Sequence, residues 1–194
     1  MLDPFLALSW AAAATREIKL ATGICILPQR NPVYTAKEVA TLDWLSKGRT
    51  ILGLGIGWLE EEFQNLGVPF EARGARCDEY VEVLKRLWCD PVSNHDGRFH
   101  RLEEARFYPK PIQEPHPPIV FGGESNPALR RVARLGDGWF GFNHTPETAA
   151  ECLARLDGLL EEEGRKASDL EISLSPYLQP SSGEDLPRYE ALGV

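Results

Sequence analysis

A parallel α/β sheet covered by helices and closed as a (βα) barrel is the fold class that three features of this sequence predict. Helix-prone and strand-prone segments alternate along the chain, and short glycine breaks punctuate them. The strand segments are near-continuous apolar runs, as in TILGLGIGW (Thr50 to Trp58), the pattern of strands buried on both faces. In that run Gly53, Gly55 and Gly57 alternate and so share one face of the strand, which suits a crowded barrel interior or the close approach of a flat ligand. A doubly wound sheet is the competing architecture. Its dinucleotide fingerprint, GxGxxG, would put glycine where Trp58 stands, and the WLEEEF that follows supplies acidic side chains instead of a pyrophosphate-binding helix start. The barrel is preferred, with Gly57-Trp58, Gly122-Gly123 and Phe142 at the C-terminal ends of its strands.

The elements follow in order. Residues 3–14 are alanine-rich and read as a helix, and IKLATGICIL (Ile18 to Leu27), closed by Pro28, reads as one long buried strand. Residues 34–46 carry Ala36, Val39, Ala40 and Leu42 on one helical face before a break at Lys47-Gly48 and the strand Thr50 to Trp58. After Asp78, Tyr80, Val81, Leu84, Leu87 and Trp88 recur at helical spacing, an aromatic stripe read as core packing. Residues 90–118 are the exception: SNHDGRF reads as a small hairpin, and PKPIQEPHPP is too irregular for a plain connection. Such insertions usually serve function, so this one is placed near the mouth of the site, with Phe99, Phe107 and Tyr108 as specificity residues. A helix from about Pro146, capped by Thr145, and a strand from Leu170 to Leu178 complete a count of five strands and four helical crossovers within a single domain over 1–194.

Composition narrows the function classes. With 194 residues and 43% hydrophobic content the chain buries a real core. A net charge of −8 offers no basic stripe to displace counterions, which argues against nucleic acid as a partner. Cys25, Cys77, Cys89 and Cys152 form no CxxC pair, and His95, His100, His116 and His144 lack metal-ligand spacing, so no metal is expected and a reducing cytoplasm is. No apolar run approaches the roughly 20 residues of a spanning helix, so no membrane partner is expected either.

The stretch Ile119 to Phe142, IVFGGESNPALRRVARLGDGWFGF, carries the chemistry. A short apolar strand stops at Gly122-Gly123, Asn126 can cap, and Pro127 suits the first helical position. Backbone N–H groups at such a helix start face outward with the positive end of the helix dipole behind them, so a phosphate can be held without a lysine. An ordinary βαβ connection with an empty helix start remains the alternative at this point.

Four blocks, TGICILPQRNPVYTAKEVATLDWLSKGR, ILGLGIGWLEEEFQNLGVPFEARGAR, PKPIQ and PPIVFGGESNPALRRVARLGDGWF, resemble the bacterial-luciferase-like monooxygenase superfamily, most closely its F420-dependent oxidoreductase branch. The resemblance runs collinearly from about residue 3 to residue 178. It implies a TIM (βα)8 barrel, incomplete in this chain because two units before residue 3 and the last after Val194 are missing, about three of eight strands. The unpaired edges of such a piece predict poor solubility or self-association into a homo-oligomer.

The resemblance also implies a flavin or deazaflavin across the C-terminal mouth. It carries a non-prolyl cis peptide, beneath the ring system, onto Gly23-Ile24 within Thr22-Gly23-Ile24; it sets Ile56 and Gly57 beside the cofactor, Gly123, Glu124 and Ser125 at the phosphate, and Gly138 at the next strand start. A carboxylate repels phosphate, so Glu124 is expected to act through its backbone N–H with its side chain turned outward. Arg30, Arg73 and Arg76 could reach an anion, though surface placement is the plainer reading. The activity implied is hydride transfer between coenzyme F420 and a small organic substrate; an FMN-dependent, oxygen-using monooxygenase and a degenerate cofactor-binding barrel without turnover are the alternatives. No catalytic acid or base is assigned.

Overall fold

The computed structural model describes residues 2–176, 178 and 183–194. They gather into two compact units, Met1–Pro117 and Pro118–Val194, where one domain is expected. Among the described residues no helix is long and apolar enough to cross a membrane.

The first unit opens with α1, Pro4–Ala14, whose start is set by Asp3: its carboxylate accepts the N–H groups of Phe5 and Leu6. The single strand expected over Ile18 to Leu27 is instead two short ones, β1 (Leu20–Ala21) and β2 (Cys25–Ile26), both parallel to β3 (Thr50–Gly55). Ala21 pairs with Ile51 and Cys25 with Leu54, so four steps along the first segment face three along β3. The surplus residue makes Thr22-Gly23-Ile24 bulge, and the Gly23-Ile24 peptide within the bulge is cis. The glycine face of β3 is what receives it. A Cβ on Gly53 would stand 1.9 Å from Thr22 O, and one on Gly55 would stand 2.1 Å from Ile24 Cδ1. Of the two explanations for alternating glycines, crowding by the protein's own chain accounts for these two.

Helix α2 (Pro32–Ser46) begins two residues before its expected start because Asn31 Oδ1 accepts the N–H groups of Val33 and Tyr34. β3 ends at Gly55, short of Trp58, which is 81% exposed. The acidic WLEEEF segment forms a short helix, α3 (Glu60–Asn65), that the sequence pattern does not announce. Helix α4 (Arg73–Cys89) starts five residues before Asp78; no side chain caps it, so no local signal marks its start. Its stripe is core, as expected: Val81, Leu84, Leu87 and Trp88 are buried, and Trp88 Nε1 donates to Ala36 O of α2 at 3.1 Å.

The 90–118 insertion divides into two parts. A hairpin, β4 (Ser93–Asp96) with β5 (Arg101–Ala105), lies along α4 with its tip on Glu79. There the carboxylate accepts the N–H groups of Arg98 at 2.9 Å and of Phe99 and His100 at 2.8 Å. The later part straps onto the opposite end of the unit. Asp43, fully buried near the end of α2, accepts from Ile112 N at 2.8 Å, Gln113 N at 3.0 Å and Gln113 Nε2 at 2.7 Å, and the same amide reaches Thr50 O at the start of β3. Thr50 and Gly57 are about 20 Å apart along an extended strand. Residues 110–113 therefore lie far from the mouth at which the whole insertion is expected. Phe107, expected as a specificity residue, is buried, with Lys37 Nζ 4.2 Å above its ring.

In the second unit β6 (Ile119–Gly122), β7 (Gly138–Phe142) and β8 (Glu171–Ser175) run parallel, with Val120 opposite Gly138 and Gly138 opposite Glu171. Helix α5 (Asn126–Leu135) buries Leu129, Val132 and Ala133, and α6 (Pro146–Glu162) buries Ala149, Cys152, Leu156 and Leu160. Thr145 caps α6 as expected, and Thr148 returns the bond to Thr145 N. α5 is capped one residue earlier than expected: Ser125 Oγ, not Asn126, accepts from Ala128 N. The strand expected to reach Leu178 ends at Ser175, and Tyr177 lies outside the described residues. A short helix, α7 (Leu186–Glu190), follows without a counterpart in the pattern.

Three outcomes follow from this packing. Asp43→Ala leaves two part-buried backbone N–H groups without their acceptor and takes one of the two bonds of the Gln113 amide, so urea unfolding should show a loss of about 2–4 kcal/mol, with Asp43→Asn losing less. Gly53→Ala places a methyl inside the Thr22 carbonyl and should cost at least about 2 kcal/mol in the same measurement, whereas Gly158→Ala, whose Cβ meets nothing within 4 Å, should not. Burial raises the Glu79 carboxyl, but the bonds from Phe99 and His100, the His95 ring and Arg98 N–H outweigh it and hold the group below its ordinary 4.5. A depressed carboxyl contributes stability above its unfolded pKa and loses it as pH falls through the folded one. Amide protons of residues 98–100 should therefore exchange at constant protection above about pH 5 and lose protection on acidification, with Glu79→Gln abolishing that acid step.

Candidate functional site

The first unit brings together five of the expected residues. Register sets Thr22, Gly23 and Ile24 beside the middle of β3, and Ile56 and Gly57 continue from its C-terminal end. Thr22 is buried, its Oγ1 donating to Gly53 O at 2.7 Å, so its hydroxyl fastens the bulge instead of facing outward. Ile24 is 38% exposed. Gly57 has φ +77°, and a Cβ there would press within 2.9 Å of both Phe63 and Ile26, so only glycine makes this turn. A hollow of about 250 Å³ opens beside the bulge, lined among others by Gly23, Ile24, Cys25, Ile26 and Arg30. Burial pushes the Cys25 thiol up to about 11, against the opposing pull of Arg30, which makes it an inert wall.

The three arginines are committed to the protein. Arg30 donates twice to Glu38, at 2.8 and 3.0 Å, and lies 3.4 Å from Asp3. Arg73 Nε donates to Gly57 O at 3.0 Å while its guanidinium stacks 3.8 Å from the centre of the Phe70 ring. Arg76 is buried and bonded to Pro69 O and Glu71 O. They are structural rather than surface residues, and two of them shape the loop that follows Gly57.

In the second unit the strand β6 runs into a turn, Gly123-Glu124-Ser125, that leads directly into α5. Gly123 has φ +104°, which turns the backbone sharply at the strand end. Its carbonyl accepts from Trp139 Nε1 at 3.0 Å, pinning the turn to β7. Ser125 Oγ occupies Ala128 N, Pro127 has no N–H, and no partner among the described residues takes the N–H of Glu124, Ser125 or Asn126. Three donors are thus left at the start of a ten-residue helix. The Glu124 side chain stays 40% exposed, yet it is held: Oε1 accepts from Phe142 N at 3.2 Å and lies 3.5 Å from His144 Nε2. Arg155 of α6 adds a cation, donating to Glu124 O at 3.0 Å and Asn126 Oδ1 at 3.3 Å.

Gly138 is not brought to this turn. It pairs with Val120, two residues before β6 ends, and a Cβ on it would lie 2.4 Å from Glu171 O and 3.0 Å from Val120 Cγ2. Its role is close strand packing. His144 and Arg155, by contrast, reach the turn from sequence positions 20 and 31 residues beyond Glu124. Only the parallel register and the return of α6 bring them there, so no local motif announces them.

Comparison with known proteins places this geometry. The dimethylsulfone monooxygenase of Pseudomonas putida, an FMNH2-dependent protein, is 34% identical over 179 residues, 91% of this chain and 48% of the relative. A crystal structure of a Streptomyces bottropensis monooxygenase superposes with a TM-score of 0.79 at 30% identity, covering 89% of this chain and 53% of that one. The coenzyme F420 dependent tetrahydromethanopterin reductase of Methanopyrus kandleri gives 0.78 at 26% identity, covering 89% and 54%. The chain thus spans about half the length of the curated relatives it matches and has the fold class of an incomplete luciferase-like TIM barrel. The model of the luciferase-like monooxygenase family matches residues 1–187, and the chain belongs to that family.

Proposed function

We propose that this chain holds the cofactor in an oxidoreductase that moves a hydride between coenzyme F420 and a small, partly apolar organic substrate. The observation that carries the reading is the turn before α5, where three N–H groups without a partner among the described residues stand at the positive end of the helix dipole, with Arg155 bonded to Glu124 O beside them. Those donors fit a phosphate: Gly123 and Ser125 keep the approach to the backbone open, and the Glu124 side chain is drawn off toward Phe142. In the first unit, Gly23 and Ile24 line a largely apolar hollow with Leu2, Pro4, Cys25 and Ile26, and Thr22 bonds the bulge to Gly53 O. When bound, a deazaflavin supplies a ring carbon that accepts or gives a hydride. The residues of this chain bind it, orient it and shield one face from water.

The RNP, GVPFEARGAR and GGES blocks, and the likeness to the Methanopyrus kandleri reductase, support F420. A second reading, an FMN-dependent monooxygenase consuming oxygen, is favoured by the 34% identity to the FMNH2-dependent dimethylsulfone monooxygenase. Anaerobic equilibrium titrations with oxidised F420 and with FMN separate them. The expected result is tighter binding of F420, weakened about three- to tenfold by Arg155→Ala through loss of a cation at the turn. Tighter binding of FMN would replace the first reading by the second, and binding of neither would overturn both.

A further inference from the structure

The hollow beside the bulge selects by size and by charge. Its volume of about 250 Å³ is below that of pockets enclosing drug-sized ligands and gives room for a molecule of about ten non-hydrogen atoms. Register sets it at the C-terminal end of β3, since Cys25 and Ile26 stand opposite Leu54 and Gly55, the last two residues of that strand. Leu2, Pro4, Ile24, Cys25 and Ile26 make its walls apolar. A charged group entering there gives up water without compensation, whereas an uncharged one loses little.

Among the described residues that line the hollow Arg30 alone carries a charge, and that charge is overbalanced. Glu38 accepts two bonds from its Nη2, at 3.0 and 2.8 Å, and Asp3 Oδ2 lies 3.4 Å from its Nη1. The Phe5 ring, 5.1 Å from the guanidinium carbon, completes the clamp. One cation against two anions leaves the cluster net negative, so it repels a carboxylate that a lone arginine would bind. Gln29 supplies the polar contact. Its Nε2 donates to Glu62 Oε2 at 3.2 Å, and a carboxylate can only accept, so Oε1 remains as an acceptor for an alcohol or an amide.

We infer that this hollow is the substrate subsite, that its substrate is a small uncharged molecule with an apolar body and a hydrogen-bond donor, and that the cluster of Asp3, Arg30 and Glu38 turns anions away. The inference rests on the proposed oxidoreductase in calling that molecule a substrate; the hollow and its charge do not depend on the cofactor. The arginine that sequence alone offers to an anion acts, between these two carboxylates, against one.

Cyclohexanecarboxamide and cyclohexanecarboxylate share a shape and differ in charge. Each is titrated at neutral pH into the full chain and read by the methyl NMR signals of Leu2, Ile24 and Ile26, with Leu174 and Leu186 of the second unit as controls. The amide should shift the first three saturably, and the carboxylate should bind at least about tenfold more weakly. Glu38→Gln removes one carboxylate of the cluster, and Asp3→Asn removes the other while keeping a capping oxygen for α1. Each should narrow the gap to about threefold or less and leave the amide's affinity unchanged, which also reports that the variant is folded. Signals of Leu2, Ile24 and Ile26 unmoved by both molecules overturn the subsite. A carboxylate bound by the wild type as tightly as the amide overturns selection against anions, and a gap that persists in both variants overturns the role of the cluster. Amide binding in a chain that takes neither F420 nor FMN overturns the proposed function, and with it the assignment of the bound molecule as substrate.

Discussion

The seating of the Thr22-Gly23-Ile24 bulge on the side-chain-free face of β3 is the constraint on which the first unit depends. The segment 21–25 has one residue too many for the strand it pairs with, and the excess must leave the plane of the sheet. It can do so inward only because Gly53 and Gly55 present no Cβ at the two points of contact. Once seated, the bulge is tied by Thr22 Oγ1 to Gly53 O, and its Ile24 side chain fills the space over Gly55. The turn at Gly57 follows from the same crowding, since Ile26 and Phe63 close on the position a Cβ would take. The bulge is thereby fixed by backbone packing on glycine and by one hydroxyl bond.

The second unit is organised differently, with unpaired backbone polarity gathered at the start of α5. Ser125 satisfies one of the orphan donors of α5, Pro127 removes another, and the remainder are left pointing away from the helix. The turn that aims them is fixed by Trp139 Nε1 on Gly123 O and by Arg155 on Glu124 O, so the donors are oriented before any ligand arrives.

Periodicity made the helices and the general run of the strands legible, because burial on both faces leaves apolar runs and burial on one leaves stripes. The caps at Asn31 and Thr145 are local chemistry. Thr145 is legible for that reason, while Asn31 lies ahead of an apolar pattern that begins only at 34. The interruption of Ile18 to Leu27 is different in kind: hydropathy is continuous across it, and only the residue count against β3 breaks it. The strap at residues 110–113 was illegible for a related reason. Its anchor is a buried carboxylate, Asp43, some 70 positions away, and no spacing rule connects them. Gly138 shows the converse error, a glycine whose motif suits a ligand but whose missing Cβ makes room for Glu171 O and Val120.

The charge balance sets the terms on which the proposed anion site would have to work. A net charge of −8 sets an unfavourable average field for a phosphate, and lysines or arginines would be the ordinary remedy. The bonds of Arg155 to Glu124 O and Asn126 Oδ1 keep its charge at the start of α5, whereas Arg30, Arg73 and Arg76 are bonded to Glu38, Gly57 O and Pro69 O. Arg49 is likewise spent on the carbonyls of Ala12, Thr15, Ile18 and Ser46. At physiological salt, exposed charges more than about 8 Å away are largely screened, so the diffuse acidity of the surface contributes little at the turn. What remains unscreened is the helix start, Arg155, and the carboxylate of Glu124 itself. Of these only Glu124 opposes an anion, and the bond from Phe142 N–H to its Oε1 ties that charge to β7 instead of leaving it free beside the helix start.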